Sequence, residues 1–212
     1  LARMGNAPQR TTQKNFPCPR RTRTRQRPRR EITRQRHPRS ALSEDGRERG
    51  IVITVDQQQR LDQLKSQLDA EHIRYRILPH ETTYASAEDG VTHGVGTLAE
   101  MAPTLILKTE KGFIAAIISG ATRIVYKKIK KQLGLKDVSL ATSEVVLQLT
   151  GSHVGTVSLV QSEIPTIVDS RLKEVETIFG GCGVPQHTLA MSPIDLMRIT
   201  NAQEFDFAEP KT

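Results

Sequence analysis

Thr104-Leu105-Ile106-Leu107-Lys108-Thr109 and Phe113-Ile114-Ala115-Ala116-Ile117-Ile118-Ser119, joined by Glu110-Lys111-Gly112, decide the fold of this chain. Both runs are rich in apolar and β-branched residues, and the three residues between them have the length and composition of a hairpin turn. The spacing predicts an antiparallel pair forming the central ladder of a sheet.

Working outward from the hairpin, the period changes after Gly120. Val125, Ile129 and Leu133 recur every four residues while Lys127, Lys128, Lys130 and Lys131 fill the other faces, so an amphipathic basic helix follows and Gly134 stops it. Upstream, Leu61, Leu64 and Leu68 share one face of a helix predicted over Asp56 to Glu71. Ile73, Tyr75 and Ile77 then alternate with charged residues in a strand that Pro79 ends, and a short helix is predicted near Ser86 to His93. Downstream, a short strand at Val138 to Thr142 precedes a helix capped by Ser143 and closed by Gly151. Further strands are predicted at Val154 to Val160, Thr166 to Val168, Glu176 to Phe179 and Thr188 to Met191. Ser192 caps a last helix with Pro193 at its first position and Leu196 and Ile199 facing inward. Strands and helices interleave without a regular βαβ repeat, which indicates an α+β fold with a mixed sheet.

Charge divides the chain sharply. Residues 1 to 50 hold 14 Arg and one Lys against four acids, a net +11, whereas the remaining 162 residues carry −3. Only nine of the 77 hydrophobic residues fall in the first fifty, so residues 51–212 form the folded domain and residues 1–50 a disordered, Arg-rich tail. The break predicts a natural start near Val52 or Val55. A phosphate-gripping RNA-binding tail and an organelle transit segment are the other readings of the arginines. The longest apolar run, Phe113 to Ile118, is far short of the roughly 20 residues of a membrane-spanning helix. There is no basic-then-apolar signal at the start, and Cys18 and Cys182 are too distant to suggest a disulfide framework, so a cytoplasmic setting is expected.

Three places could carry chemistry. Lys108 is an ammonium on an otherwise apolar strand, either pointing to water at a strand end or standing at a pocket mouth as a point charge for phosphate. Thr150-Gly151-Ser152-His153-Val154-Gly155-Thr156-Val157-Ser158 has two glycines four apart, which suit either a helix terminator with a bulged strand or backbone pressed against a ligand. Gly180-Gly181-Cys182-Gly183-Val184-Pro185-Gln186-His187 needs its glycines for a tight turn or for a loop hugging a bound group. Cys182 and His187 lack a third orienting residue for nucleophilic catalysis, and Cys182, His153 and His187 lack zinc spacing.

In order, Pro103 to Thr109, Thr150 to Ser158, Ile167-Val168-Asp169-Ser170 and Met191-Ser192-Pro193-Ile194-Asp195-Leu196 resemble the YbaK/prolyl-tRNA-synthetase-associated editing domains over roughly Asp56 to Phe207. The resemblance implies a mixed, partly barrel-like sheet flanked by helices, and metal-free hydrolysis, with no cofactor, of the ester joining a wrong amino acid to tRNA. It implies catalytic roles for Lys108, Gly155 and Thr156, and a substrate-binding set of His153, Asp169, Gly180, Gly181 and His187. The implied partners are the acceptor end of mischarged tRNA, chiefly tRNA for proline carrying alanine or cysteine, and a cognate synthetase, with neither membrane nor DNA expected. A non-catalytic module of the same fold, binding tRNA, an aminoacyl ligand or a synthetase, is the competing class. Thr156 and Leu159 stand where many relatives have glycine and proline, in a loop that shapes the side-chain pocket.

Overall fold

The computed structural model describes residues 54–211. The Arg-rich segment and the expectations placed on it lie outside the described residues.

Thr54 opens the first helix, α1 (Val55–Ala70), through a capping box with Gln57, and Leu61, Leu64 and Leu68 are its buried face. Strand β1 (Tyr75–Pro79) and a short helix α2 (Ala87–Thr92), capped by Ser86, follow. The hairpin forms as predicted: β2 (Thr104–Thr109) and β3 (Gly112–Ile117) pair from Thr104↔Ile117 to Thr109↔Gly112. Next come β4 (Thr122–Ile124), the lysine helix α3 (Tyr126–Leu133), closed by left-handed Gly134, and β5 (Val138–Leu140). Helix α4 (Ser143–Thr150) ends at left-handed Gly151, and β6 (Thr166–Asp169) leads into a 3-10 turn at Ser170–Glu174. β7 (Ile178–Gly181), β8 (His187–Met191), α5 (Pro193–Thr200), β9 (Gln203–Phe205) and β10 (Ala208–Pro210) complete the chain.

The five-stranded sheet runs β5-β2-β3-β6-β9, antiparallel across β5, β2 and β3 and parallel across β3, β6 and β9. The hairpin is therefore central. A three-stranded antiparallel sheet has the order β1-β8-β7, and β4 pairs with β10. The fold is mixed α+β with its sheets flanked by helices, and no sheet among the described residues closes into a barrel.

Alternation along the hairpin assigns its two faces to different layers. Leu107 and Ala116 pack with Ile129 of α3 and with Phe207, while Ile106 and Ala115 pack with Val146 of α4 and with Val157. The third and largest cluster joins the leucines of α1 to Leu172, Leu189, Met191 and Leu196. No helix among the described residues is long and apolar enough to cross a membrane.

One predicted element is absent. Residues 154–160 form no strand, because His153 to Thr156 make a turn, with Gly155 at φ +91°, and the chain then meets β7 through isolated bonds. Leu159 N–H donates to the Gly181 carbonyl and Gly183 N–H to the Thr156 carbonyl, both at 2.9 Å.

Candidate functional site

Three segments enclose a cavity of about 70 Å³: the loop after β1, the start of β2, and the β7–β8 turn with the 153–160 loop packed on it. Such a volume holds a few waters or a small side chain. Met101, Pro103, Ala87 and Phe179 give it an apolar floor, and His80, Tyr84, Thr156, His187 and Thr188 supply its polar groups.

Close backbone approach explains the glycines. A Cβ on Gly181 would lie 2.2 Å from the Val157 carbonyl oxygen, and one on Gly180 would lie 2.7 Å from the Ala102 carbonyl oxygen and from Leu159. Gly155 needs its left-handed φ, and a Cβ there would press on Ala85 backbone at 3.0 Å. These contacts clamp the 153–160 loop between β7 and the loop after β1. The latter is fixed in turn: His80 N–H donates to the Gln186 carbonyl at 2.9 Å, and the Gln186 side-chain amide donates to the Glu81 carbonyl at 2.6 Å.

The two histidines are oriented by carbonyls. His187 Nδ1 lies 2.9 Å from the Pro185 carbonyl, which can only accept, so Nδ1 carries the proton and Nε2 keeps its lone pair when the ring is neutral. His187 is buried, and no other side-chain bond engages its ring among the described residues. His80 Nδ1 donates to the Thr82 carbonyl, and its Nε2, 3.2 Å from Thr188 Oγ1, accepts from that hydroxyl. Burial, then the nearby His187 and His93, hold the His80 imidazole below its ordinary value, against the opposing pull of the Thr82 carbonyl. His80 stacks on Tyr84 at 3.9 Å between ring centroids, and Tyr84 stacks on His93 at 4.9 Å.

The structure brings together five of the eight residues expected from sequence: Gly155, Thr156, Gly180, Gly181 and His187 all line the cavity. Thr156, expected in a catalytic role, spends its N–H on the His153 carbonyl at 3.0 Å and its hydroxyl on the same oxygen at 2.9 Å. Gly155 N–H has no acceptor among the described residues. The other three lie elsewhere. Lys108 is exposed on β2, opposite Ser139 of β5, and five residues beyond Pro103, about 16 Å along an extended strand. That is further than its side chain can reach back, so the expected cation at the pocket mouth is missing. His153 is exposed, and it contributes its carbonyl to the turn. Asp169 is fully buried as a structural cap: its carboxylate accepts from the backbone of Arg171, Phe207 and Ala208 at 2.8 to 3.1 Å and pairs with the Arg171 guanidinium at 3.3 Å.

Cys182 is no nucleophile. It is buried outside the cavity lining, and desolvation pushes its thiol up to about 11. No three side chains of the metal-ligating types converge among the described residues. His80, Tyr84 and Thr188 were not singled out from the sequence. Nothing local marks them, since only the pairing of β1 with β8 brings His80 beside Thr188.

Two solved structures share this architecture. The hypothetical protein APE2540 is 29% identical, with a TM-score of 0.63 over 69% of this chain and 99% of its own. A candidate trans-editing enzyme for prolyl-tRNA synthetase is 23% identical, with a TM-score of 0.63 over 74% of this chain and 99% of its own. Residues 80–199, from the first cavity histidine almost to the end of α5, match the aminoacyl-tRNA editing domain, and the chain belongs to that family.

Proposed function

We propose that this chain is a trans-acting deacylase that hydrolyses the ester of mischarged tRNA, with proline tRNA carrying alanine or cysteine as its substrate. The observation that carries the reading is a small cavity with an apolar floor and an oriented imidazole in its wall. A synthetase separates amino acids that differ by one methylene only about 10- to 200-fold, so a second hydrolytic site must supply the remaining accuracy.

In the proposed reaction the side chain of the wrong amino acid rests on Met101, Pro103 and Phe179, which places the ester carbonyl beside Gly155. Water adds to that carbonyl, giving up a proton to His187 Nε2. The oxygen that becomes negative is met by Gly155 N–H, a contact worth roughly 3 kcal/mol. The ester C–O bond then breaks, and the proton passes from His187 to the departing ribose oxygen. Free amino acid and uncharged tRNA leave. The neighbouring ribose hydroxyl of the substrate helps to hold the water. No step uses a metal, and Lys108 has no part. The synthetase that makes the error is the implied partner, in the cytoplasm where tRNA is charged.

One feature favours a second reading. Among the described residues no lysine, arginine or carboxylate lines the cavity, so a module that binds aminoacyl-tRNA without cleaving it is the alternative. Incubation with a panel of mischarged tRNAs separates the two: a deacylase releases amino acid, alanine or cysteine fastest, whereas a binder retards the tRNA and releases none.

A further inference from the structure

The cavity is not closed at its β2 end. Ala85, Ser86, Ala87 and Pro103 line both it and a more open groove of about 450 Å³ that continues over Leu105 to Leu140, Tyr126, Arg123 and Lys211. Leu140 is 55% exposed and Tyr126 37%, an apolar strand residue and an aromatic ring left uncovered on the groove wall. The groove then meets the lysine face of α3. With 3.6 residues per turn, Lys130 stands about 40° around the helix from Tyr126 and Lys127 about 100°. Lys128, on the far side, pairs with Asp206 at 2.9 Å, while Lys127 and Lys130 have no carboxylate partner among the described residues. The groove's own acid, Glu88, is neutralised by Lys211 at 2.8 Å.

We propose that this groove holds the single-stranded 3′ end of tRNA leading into the cavity, with a base stacked on Tyr126 and phosphates against Arg123, Lys127 and Lys130. The inference rests on the editing reading and names the surface that delivers its substrate. A flexible polyanion with flat bases is what the arrangement suits: an apolar floor and an aromatic ring for stacking, bordered by Lys127 and Lys130, which have no carboxylate partner among the described residues. Arg123 is paired with Glu209 at 2.8 Å on an exposed rim, where screening leaves it able to exchange that partner for a phosphate.

The test uses the full chain and uncharged proline tRNA, intact or lacking its last three nucleotides, with binding followed by fluorescence anisotropy. Comparing the two tRNAs cancels any contact that the Arg-rich segment makes with the body of the RNA. The wild-type chain is expected to prefer the intact tRNA by about tenfold, since stacking one base contributes about fivefold or more. Tyr126→Ala and the double change Lys127→Glu, Lys130→Glu should bring that ratio near one. Tyr126→Phe, which keeps the ring, and Lys65→Glu, which alters charge on α1, should preserve it, with circular dichroism confirming the fold of each. No preference in the wild-type chain, or an unchanged preference in Tyr126→Ala and the double variant, overturns the proposal. A preference that these variants abolish, in a chain that releases no amino acid, keeps the groove and defeats the deacylase reading instead.

Discussion

Replacing Gly181 by alanine tests whether the 153–160 loop is held against β7 as the structure has it. The new Cβ would lie 2.2 Å from the Val157 carbonyl oxygen and 2.8 Å from the Thr156 carbonyl carbon and oxygen. Those atoms are backbone, so no rotamer relieves the overlap, and the loop must retreat by roughly 1 Å to regain ordinary contact. Overpacking of this kind costs about 1–3 kcal/mol. The retreat also stretches the 2.9 Å bonds from Leu159 N–H to Gly181 and from Gly183 N–H to Thr156, each contributing about 1 kcal/mol. The total is about 3–5 kcal/mol, a fall of roughly 2 M in the urea midpoint for a slope near 2 kcal/mol/M. Gly134→Ala is the comparison. It carries the left-handed penalty of about 1–2 kcal/mol, but a Cβ there meets nothing within 4 Å. Because Gly155 and Thr156 move with the loop, deacylation by Gly181→Ala should drop at least tenfold in buffer where the chain is still folded. A midpoint shift no larger than that of Gly134→Ala would mean that the loop is not held against β7 at Gly181.

Lys108→Ala should deacylate within about twofold of the wild-type rate, measured on the same mischarged tRNA, because its side chain cannot reach the cavity; a loss of a hundredfold would put that lysine back in the mechanism. His80 takes up a proton less readily in the folded chain than the ordinary imidazole value of 6.5 implies. The unfolded chain therefore binds more protons below that pH, so the contribution of His80 to stability is present above about pH 6.5 and is lost as pH falls. Thermal melts from pH 7.5 to 5 should show a decline that His80→Gln reduces. With its thiol pushed up to about 11, Cys182 should resist iodoacetamide at pH 8 in a Cys18→Ser chain and label only after denaturation, as mass spectrometry would show. Prolonged dialysis against EDTA should leave the deacylation rate unchanged.

The parts of the fold legible in the sequence are those whose stability is local. The two hairpin strands alternate between two buried layers, α1 repeats leucine every three or four residues, and α5 carries its cap and its proline, so each declares itself without knowledge of the rest. The three-residue strands β4, β9 and β10 do not, because they exist through distant pairing, as with Ala208 against Ile124 and Ile167 against Gln203. Residues 154–160 misled in the opposite direction. Val157, Leu159 and Val160 fill core positions from a loop while Val154 is exposed, and apolar residues in core positions do not by themselves distinguish a strand from an extended segment without a ladder.

The same division runs through the site. Gly180 and Gly181 are expected from sequence for a tight turn or for a loop hugging a bound group, and what they admit is the chain's own backbone, at Ala102 and at Thr156 and Val157. His80 and Thr188 are 108 residues apart and meet only through the register of β1 on β8, which no local pattern encodes. Lys108 drew attention as a lone charge among aliphatic residues, yet its place on the strand, well beyond Pro103, carries it away from the cavity. Asp169 belonged to a motif of the resemblance, and its carboxylate is consumed in tying β6 to the residues that start β10.

The most direct measurement is the single-turnover release of alanine from alanyl-tRNA for proline by the wild-type chain and by His187→Ala. The wild type should release alanine, and the variant should do so more slowly by about 10²–10⁴, the usual worth of a positioned general base, with the tRNA still bound. Equal rates for the two chains, or tRNA bound by the wild type with no alanine released, would contradict the proposed reaction.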